Sequence, residues 1–267
     1  MTARASLVRS VRFGLASIFA FATLSVLLAP ARTASAQSYG TIKGRLVWGP
    51  AAAPELPLKV KKGDTAVKDP EVCAVADIPD ETYVVDPKTK GVANGVAYVV
   101  NPKGSNPDAE HALIGKASEV ELDQKNCRFV PHVVVVHKSQ TLVFKSSDNV
   151  SHNLRYTAFT NGGDNQLIPP LGTLKKKFVG PERNMTEVKC DIHPWMTGWF
   201  MVLDHPFFAV TKADGSFEIT GVPAGTQNVI VRHEAVGYVT KGARLGVPVE
   251  VKAGEVVDLG DVVLTPK

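Results

Sequence analysis

Beyond residue 36 the sequence has no apolar run of membrane-spanning length, so no membrane span is expected in the mature chain. It also lacks an excess of one charge. The whole chain carries +4, but Arg4, Arg9, Arg12 and Arg32 all fall within the first 36 residues, where there is no acid; 26 basic and 26 acidic residues remain. That balance offers no electrostatic footprint for nucleic acid. No convincing amphipathic helix is present, and residues 108–117 amount to a turn or two at most. Nor is there a P-loop, a dinucleotide fingerprint, a Ser-His-Asp arrangement or a pair of catalytic carboxylates. The chain is therefore not expected to be an enzyme. Cysteine is scarce, with only Cys73, Cys127 and Cys190. None follows the N-terminal apolar run, which leaves a lipoprotein anchor without an attachment point.

What is present begins with an address. Basic Arg4, Arg9 and Arg12 precede an apolar stretch from Phe13 to Leu28, and Ala34-Ser35-Ala36 has the small residues of a cleavage site. These are the features of a signal peptide over residues 1–36, and they place the protein in the periplasm or at the cell surface. The competing reading, an uncleaved anchor, is disfavoured because the run is short and broken by Gly14 and Ser17. The 231 residues that remain are enough for one large β domain or two small ones.

Strand patterns dominate them. Thr41–Trp48 alternates between apolar and charged residues, and 96–100, 133–137, 141–145, 199–203, 216–220, 228–233 and 258–264 are β-branched or aromatic runs. Gly, Pro, Asn and Asp clusters separate them, as in an all-β sandwich or barrel. The divisions expected are an N-terminal β segment (37–91), a block holding the candidate ligands (92–203) and a small C-terminal β-sandwich (204–267). In the last of these, Ala213-Asp214-Gly215-Ser216-Phe217 and Gly221-Val222-Pro223-Ala224-Gly225 form turns, followed by Val229-Ile230-Val231 and Gly237-Tyr238. This order resembles the transthyretin-like, carboxypeptidase regulatory-like domain, a structural or docking module in most contexts. Only about 60 residues match, and the strands near Thr41 and Val96 are candidates to complete it. Lys175-Lys176-Lys177, the one dense charge run, reads as a solvated strand edge.

The chemistry concentrates in Cys190-Asp191-Ile192-His193-Pro194-Trp195-Met196. A thiolate, an imidazole and a thioether within seven residues suit an ion cycling between one and two positive charges, because soft sulfur favours the reduced ion and imidazole serves both states. A further imidazole, His152, lies in the upstream stretch Ser147-Asp148-Asn149-Val150-Ser151-His152-Asn153.

The arrangement resembles the cupredoxin family, and its loop spacing resembles the amicyanin-type and plastocyanin-like members, including longer exported proteins of the methylamine-utilisation type. That resemblance covers roughly residues 133–203 and implies a Greek-key β-sandwich with one type 1 copper ion. It implies His152, Cys190 and His193 as strong ligands, Met196 as a weak axial ligand, and Asn153 as the residue that ties the two ligand loops together. The function implied is transfer of single electrons with a redox partner such as a cytochrome or a dehydrogenase. Four protein ligands leave no open position for a substrate. Pro194 restrains the loop, and Ile192 with Trp195 is expected to rim an accessible edge of His193 where electrons enter and leave.

Plainer readings exist. Cys190 and His193 alone would suit a disulfide cysteine beside a surface histidine, and Met196 alone would suit packing. Cys73 and Cys127 are expected to form a disulfide, given export and the use of Cys190 elsewhere; the competing reading is a second metal centre from Cys127 and His132. His137 is expected to face solvent. Copper storage or delivery without a redox circuit would use the same residues as electron transfer, and a structural β protein with a vestigial site is the third reading.

Overall fold

Four consecutive valines, Val133 to Val136, cannot all face one core, because side chains alternate across a strand. In the computed structural model, which describes residues 38–266, they serve two cores. Val134 and Val136 pack with Leu122, Leu142, Phe144 and Phe200. Val133 and Val135 pack on the opposite face with Val96, Tyr98, Met201 and Ile230. A strand buried on both faces reads as a continuous apolar run, and Val96–Val99 does so for the same reason.

These strands lie where two β-sandwiches meet. The first pairs a five-stranded sheet, in the order Gly162–Ile168, His152–Ala158, Thr186–Lys189, Thr197–Leu203 and Val133–His137, with a four-stranded sheet in the order Thr173–Lys176, Thr141–Ser146, Glu119–Gln124 and Phe129–Val130. Lys175 and Lys176 thus lie on an outermost strand, where Lys175 pairs with Glu119 and Lys176 with Asp164.

The second sandwich combines strands from both ends of the chain. Tyr39–Trp48 runs between Ser216–Pro223 and Val256–Leu264. Facing that sheet, Val96–Val99 runs between Phe208–Val210 and Gly225–His233. Ile42, Leu46, Val99, Phe217, Val229 and Val231 fill the space between. The pairing of Val96–Val99 with Phe208–Val210 and Gly225–His233 crosses the division drawn between residues 203 and 204 in the sequence. The chain is all-β, as expected from its patterning, and no helix among the described residues is long and apolar enough to cross a membrane. The stretch read as an export signal, 1–36, lies outside the described residues.

Three sequence expectations need correction. Helix α1 (Pro70–Cys73) is a single turn, but α2 (Pro107–Lys116) has ten residues, not a turn or two. Asn106 caps α2, Pro107 opens it, Asp108 and Glu110 occupy its first turn and Lys116 its last. None of its residues is buried, so it shows no apolar stripe, and periodicity could not find it. His137 is fully buried instead of solvent-facing. Its Nδ1 accepts from the Ser139 N–H, and its Nε2 lies 3.5 Å from Glu110 of α2. Finally, His152 and Asn153 open a seven-residue strand and do not lie in a loop.

Candidate metal centre

Strand pairing assembles this site. His152–Ala158 runs antiparallel beside Thr186–Lys189, with Val188 opposite Tyr156 and Lys189 opposite Arg155. The residues that follow Lys189 therefore emerge beside the start of the His152 strand. The loop they form turns back on itself, with the Met196 N–H donating to the His193 carbonyl at 2.9 Å. Asn153 spans the two segments: its N–H donates to Cys190 Sγ at 3.2 Å, and its Oδ1 accepts from the Asp191 N–H at 3.1 Å.

Three donor atoms converge. His152 Nδ1 and His193 Nδ1 are 3.0 Å apart, and Cys190 Sγ lies 3.6 Å from the second and 4.0 Å from the first. A point equidistant from all three lies inside that triangle, about 2.1 Å from each atom. First-row metal ions bond to imidazole nitrogen at about 2.0–2.1 Å and to thiolate at about 2.3 Å. The triangle is thus the size that one such ion requires.

Each imidazole is oriented from behind by a carboxylate. His152 Nε2 is 2.9 Å from Asp148 Oδ2, and His193 Nε2 is 3.0 Å from Asp69 Oδ2. A carboxylate at one ring nitrogen directs the other toward the metal position and raises its basicity. Asp148 is itself held by the N–H groups of Asn126 and Cys127, two successive residues with positive φ whose amides cradle its carboxylate. Burial opposes ionisation of the Cys190 thiol, but His152, His193 and the Asn153 N–H overcome it and bring its pKa down to about 6. Burial likewise opposes the charge on His152, but Asp148 and the Cys190 thiolate push its pKa up to about 9. Both shifts favour a thiolate facing an imidazolium in the metal-free site between about pH 6 and about pH 9.

No protein-family model and no curated protein matches the chain. Among solved structures, a reduced amicyanin variant is 17% identical over 32% of this chain and 82% of its own, with a TM-score of 0.29. The novel purple cupredoxin from Nitrosopumilus maritimus is 17% identical over 32% of this chain and 97% of its own, at a TM-score of 0.26. A copper-containing nitrite reductase from Thermus scotoductus is 22% identical over 32% of this chain and 22% of its own, also at 0.26. The donor geometry does not rest on these likenesses.

Of the residues singled out in the sequence, the structure brings His152, Cys190 and His193 into one cluster. Met196 is buried in the same core as Cys190, and its carbonyl accepts from the Cys190 N–H at 3.4 Å. Cys73 and Cys127 are joined by a disulfide, with their Cα atoms 5.1 Å apart. That bond removes the thiolate that a second centre on Cys127 and His132 would need, and His132 Nε2 instead lies 2.7 Å from Glu234 Oε1.

The accessible edge expected for His193 is absent. The residue is 0% exposed, and Asp69, at the start of α1, covers its outer nitrogen. The sulfurs of Cys73 and Cys127 both lie within 4.8 Å of a His193 nitrogen, so the disulfide fastens α1 directly over the site. Asp148, four residues before His152, is near enough in sequence to have been noticed. Nothing in the spacing points to Asp69, 124 residues from its partner.

Proposed function

We propose that the chain is an exported type 1 copper protein that carries single electrons between redox partners. One copper ion per chain would be held by His152, Cys190 and His193, with Met196 as a fourth, weaker ligand. The observation that carries this reading is the buried triangle of two Nδ1 atoms and one thiolate sulfur. Bound there, copper would supply a one-electron couple, since thiolate and imidazole together suit both of its oxidation states.

The protein's own residues serve such a couple in three ways. Asp148 and Asp69 fix the two rings, so that neither has to turn when the charge at the site changes. The Asn153 N–H points at the thiolate sulfur and withdraws charge from it. The disulfide and α1 exclude water from His193. The disulfide itself suits an oxidising compartment, in keeping with export to the periplasm or cell surface. Four protein ligands leave no position for substrate, which favours a carrier over an enzyme. Complete burial of both imidazoles also favours electron transfer over copper delivery, because a delivered ion has to leave a site that has no exposed imidazole edge.

The visible and EPR spectra of the copper-loaded protein test this reading. An intense thiolate-to-copper band is expected, one copper per chain, lost completely in Cys190→Ser with the β circular dichroism unchanged. A folded, copper-loaded but colourless protein would refute it.

A further inference from the structure

A centre closed to solvent needs a way for its ion to enter. His152 and His193 are 0% exposed and Cys190 is 1% exposed, and α1, ending in Cys73, lies over them. Cys73 and Cys127 are buried as well. Their two sulfurs and a His193 nitrogen all lie within 4.8 Å of one another. Cys127 Sγ is also within 4.8 Å of a His152 nitrogen and an Asp148 oxygen. The disulfide therefore sits among the donors of the centre, not at a distance from them.

Two kinds of contact seat the segment 57–81 that carries α1, and only one depends on the S–S bond. Val60, Ala74 and Ile78 are buried in the same core as Leu122 and Phe129, and Glu81 pairs with Arg128 at 2.6 Å. Those contacts remain when the sulfurs are reduced, so the fold keeps both thiols beside His193. Helix α1 itself is a single turn, closed by the Cys73 N–H to the Asp69 carbonyl and the Ala74 N–H to the Pro70 carbonyl, each at 2.9 Å. So short a helix opens readily once its covalent tether is gone. The dithiol state thus combines soft donors in place with a path to solvent.

We propose that Cys73 and Cys127, in their dithiol state, form with His193 a copper(I) entry site that disulfide formation afterwards closes. Two thiolates and an imidazole are a soft donor set suited to that ion. Each thiol gives up its proton as it ligates. On closure a disulfide-bearing oxidant takes two electrons from the two sulfurs: the Cys73–Cys127 bond forms, the oxidant's S–S bond breaks, and the oxidant leaves as a dithiol. His193 belongs to both donor sets and holds the ion while Cys190 and His152 replace the two sulfurs. The soft-metal site stands on its own geometry, whereas its role in loading rests on the copper-carrier reading above.

Cys190→Ser isolates the entry site, because the final centre then lacks its thiolate. Reduced with dithiothreitol and freed of it under nitrogen, this protein should take one copper(I) per chain in competition with bathocuproine disulfonate. With its disulfide intact it should take none against the same competitor. Adding His193→Gln should weaken the binding at least roughly tenfold. Binding that ignores the disulfide, or is unweakened by His193→Gln, would overturn the site. So would loss of the β circular dichroism on reduction, since the fold would then no longer hold the thiols together. Entry is tested in the wild-type chain by the rate at which it strips copper(I) from the bathocuproine complex. The dithiol form should be at least roughly tenfold faster than the disulfide form. Cys73→Ser, which has neither the bond nor the second thiol, should fall well short of the dithiol rate; a matching rate would mean that opening alone admits the ion, and would overturn the entry role. Should Cys190→Ser fail to fold, these wild-type and Cys73→Ser rates decide. Should the copper-loaded wild type show no visible band, the carrier reading fails, while the Cys190→Ser titration still decides the soft-metal site.

Discussion

The two sandwiches bury polar groups in opposite ways. In the flanking sandwich, Gln227 closes on the backbone around it: its Nε2 donates to the Lys103 and Pro223 carbonyls, and its Oε1 accepts from the Lys103 N–H. Nothing is left to bind a third party, and the side chain acts as a staple. In the ligand-bearing sandwich, His152 and His193 spend their outer nitrogens on Asp148 and Asp69, and their inner nitrogens meet at 3.0 Å beside a thiolate. Two ring nitrogens that close, next to a sulfur anion, need a cation between them or a proton on one. Satisfied polar groups stabilise a fold; convergent ones require a ligand.

The largest expected effect separates these two kinds of burial by pH. A free thiol in a closed core titrates above its ordinary value, whereas Cys190 is held at about 6, against 9.0 for an unperturbed thiol. The thiolate absorbance of the metal-free protein should therefore rise with a midpoint near about pH 6, and a midpoint at or above 9 would break the comparison. The sign for stability follows. The Cys190 contribution is full above 9.0, shrinks as pH falls and is gone below about 6. The His152 contribution is full below 6.5 and is lost as pH rises through about 9. The two slopes oppose one another between those limits, so the pair gives the metal-free protein no net slope there. Copper loading in that window should release the His152 proton, because Cys190 has already lost its own.

Next in size is a change confined to the flanking core. Leu46 is fully buried there, and Leu46→Ala should cost about 2–5 kcal/mol in denaturant unfolding. The visible spectrum of the copper-loaded protein should not move. A shifted band would mean that the two sandwiches communicate through the shared core of Val96, Val133 and Met201.

How far the sequence reveals this division depends on distance along the chain. Cys190, His193 and Met196 lie within seven residues, so their grouping is visible from spacing alone. The valines of 133–136 give a strand, but not the fact that they face two cores. Helix α2 carries its caps in plain view and hides from periodicity because it buries nothing. The burial of His193 depends on Asp69, α1 and a disulfide spanning 54 residues, contacts that no local pattern encodes.

A smaller effect is expected from the carboxylate behind His152. Asp148→Asn keeps the side-chain shape but removes the charge that orients the ring and helps to hold the Asn126–Cys127 turn. Copper affinity, measured by competition with a chelator, should fall by about 10–100-fold. The equivalent removal of a polar contact in the flanking sandwich, Gln227→Leu, should leave copper affinity unchanged.

The smallest effect tests whether burial, not nearness to the ligands, sets the energy. Arg155 Nε–H donates to both carboxylate oxygens of Asp191, at 2.8 and 3.0 Å, and Asp191 is next to Cys190 in the chain, yet the two side chains are 47% and 46% exposed. Water screens such a pair, and holding two side chains in one geometry costs entropy that offsets most of the attraction. Arg155→Ala should lower stability by less than about 1 kcal/mol, with a difference that vanishes in high salt, and should leave the visible band in place. A loss as large as that for Leu46→Ala would show that Asp191 positions the loop through its charge. The Asn153 Oδ1 bond to the Asp191 N–H would then not be enough to hold the loop.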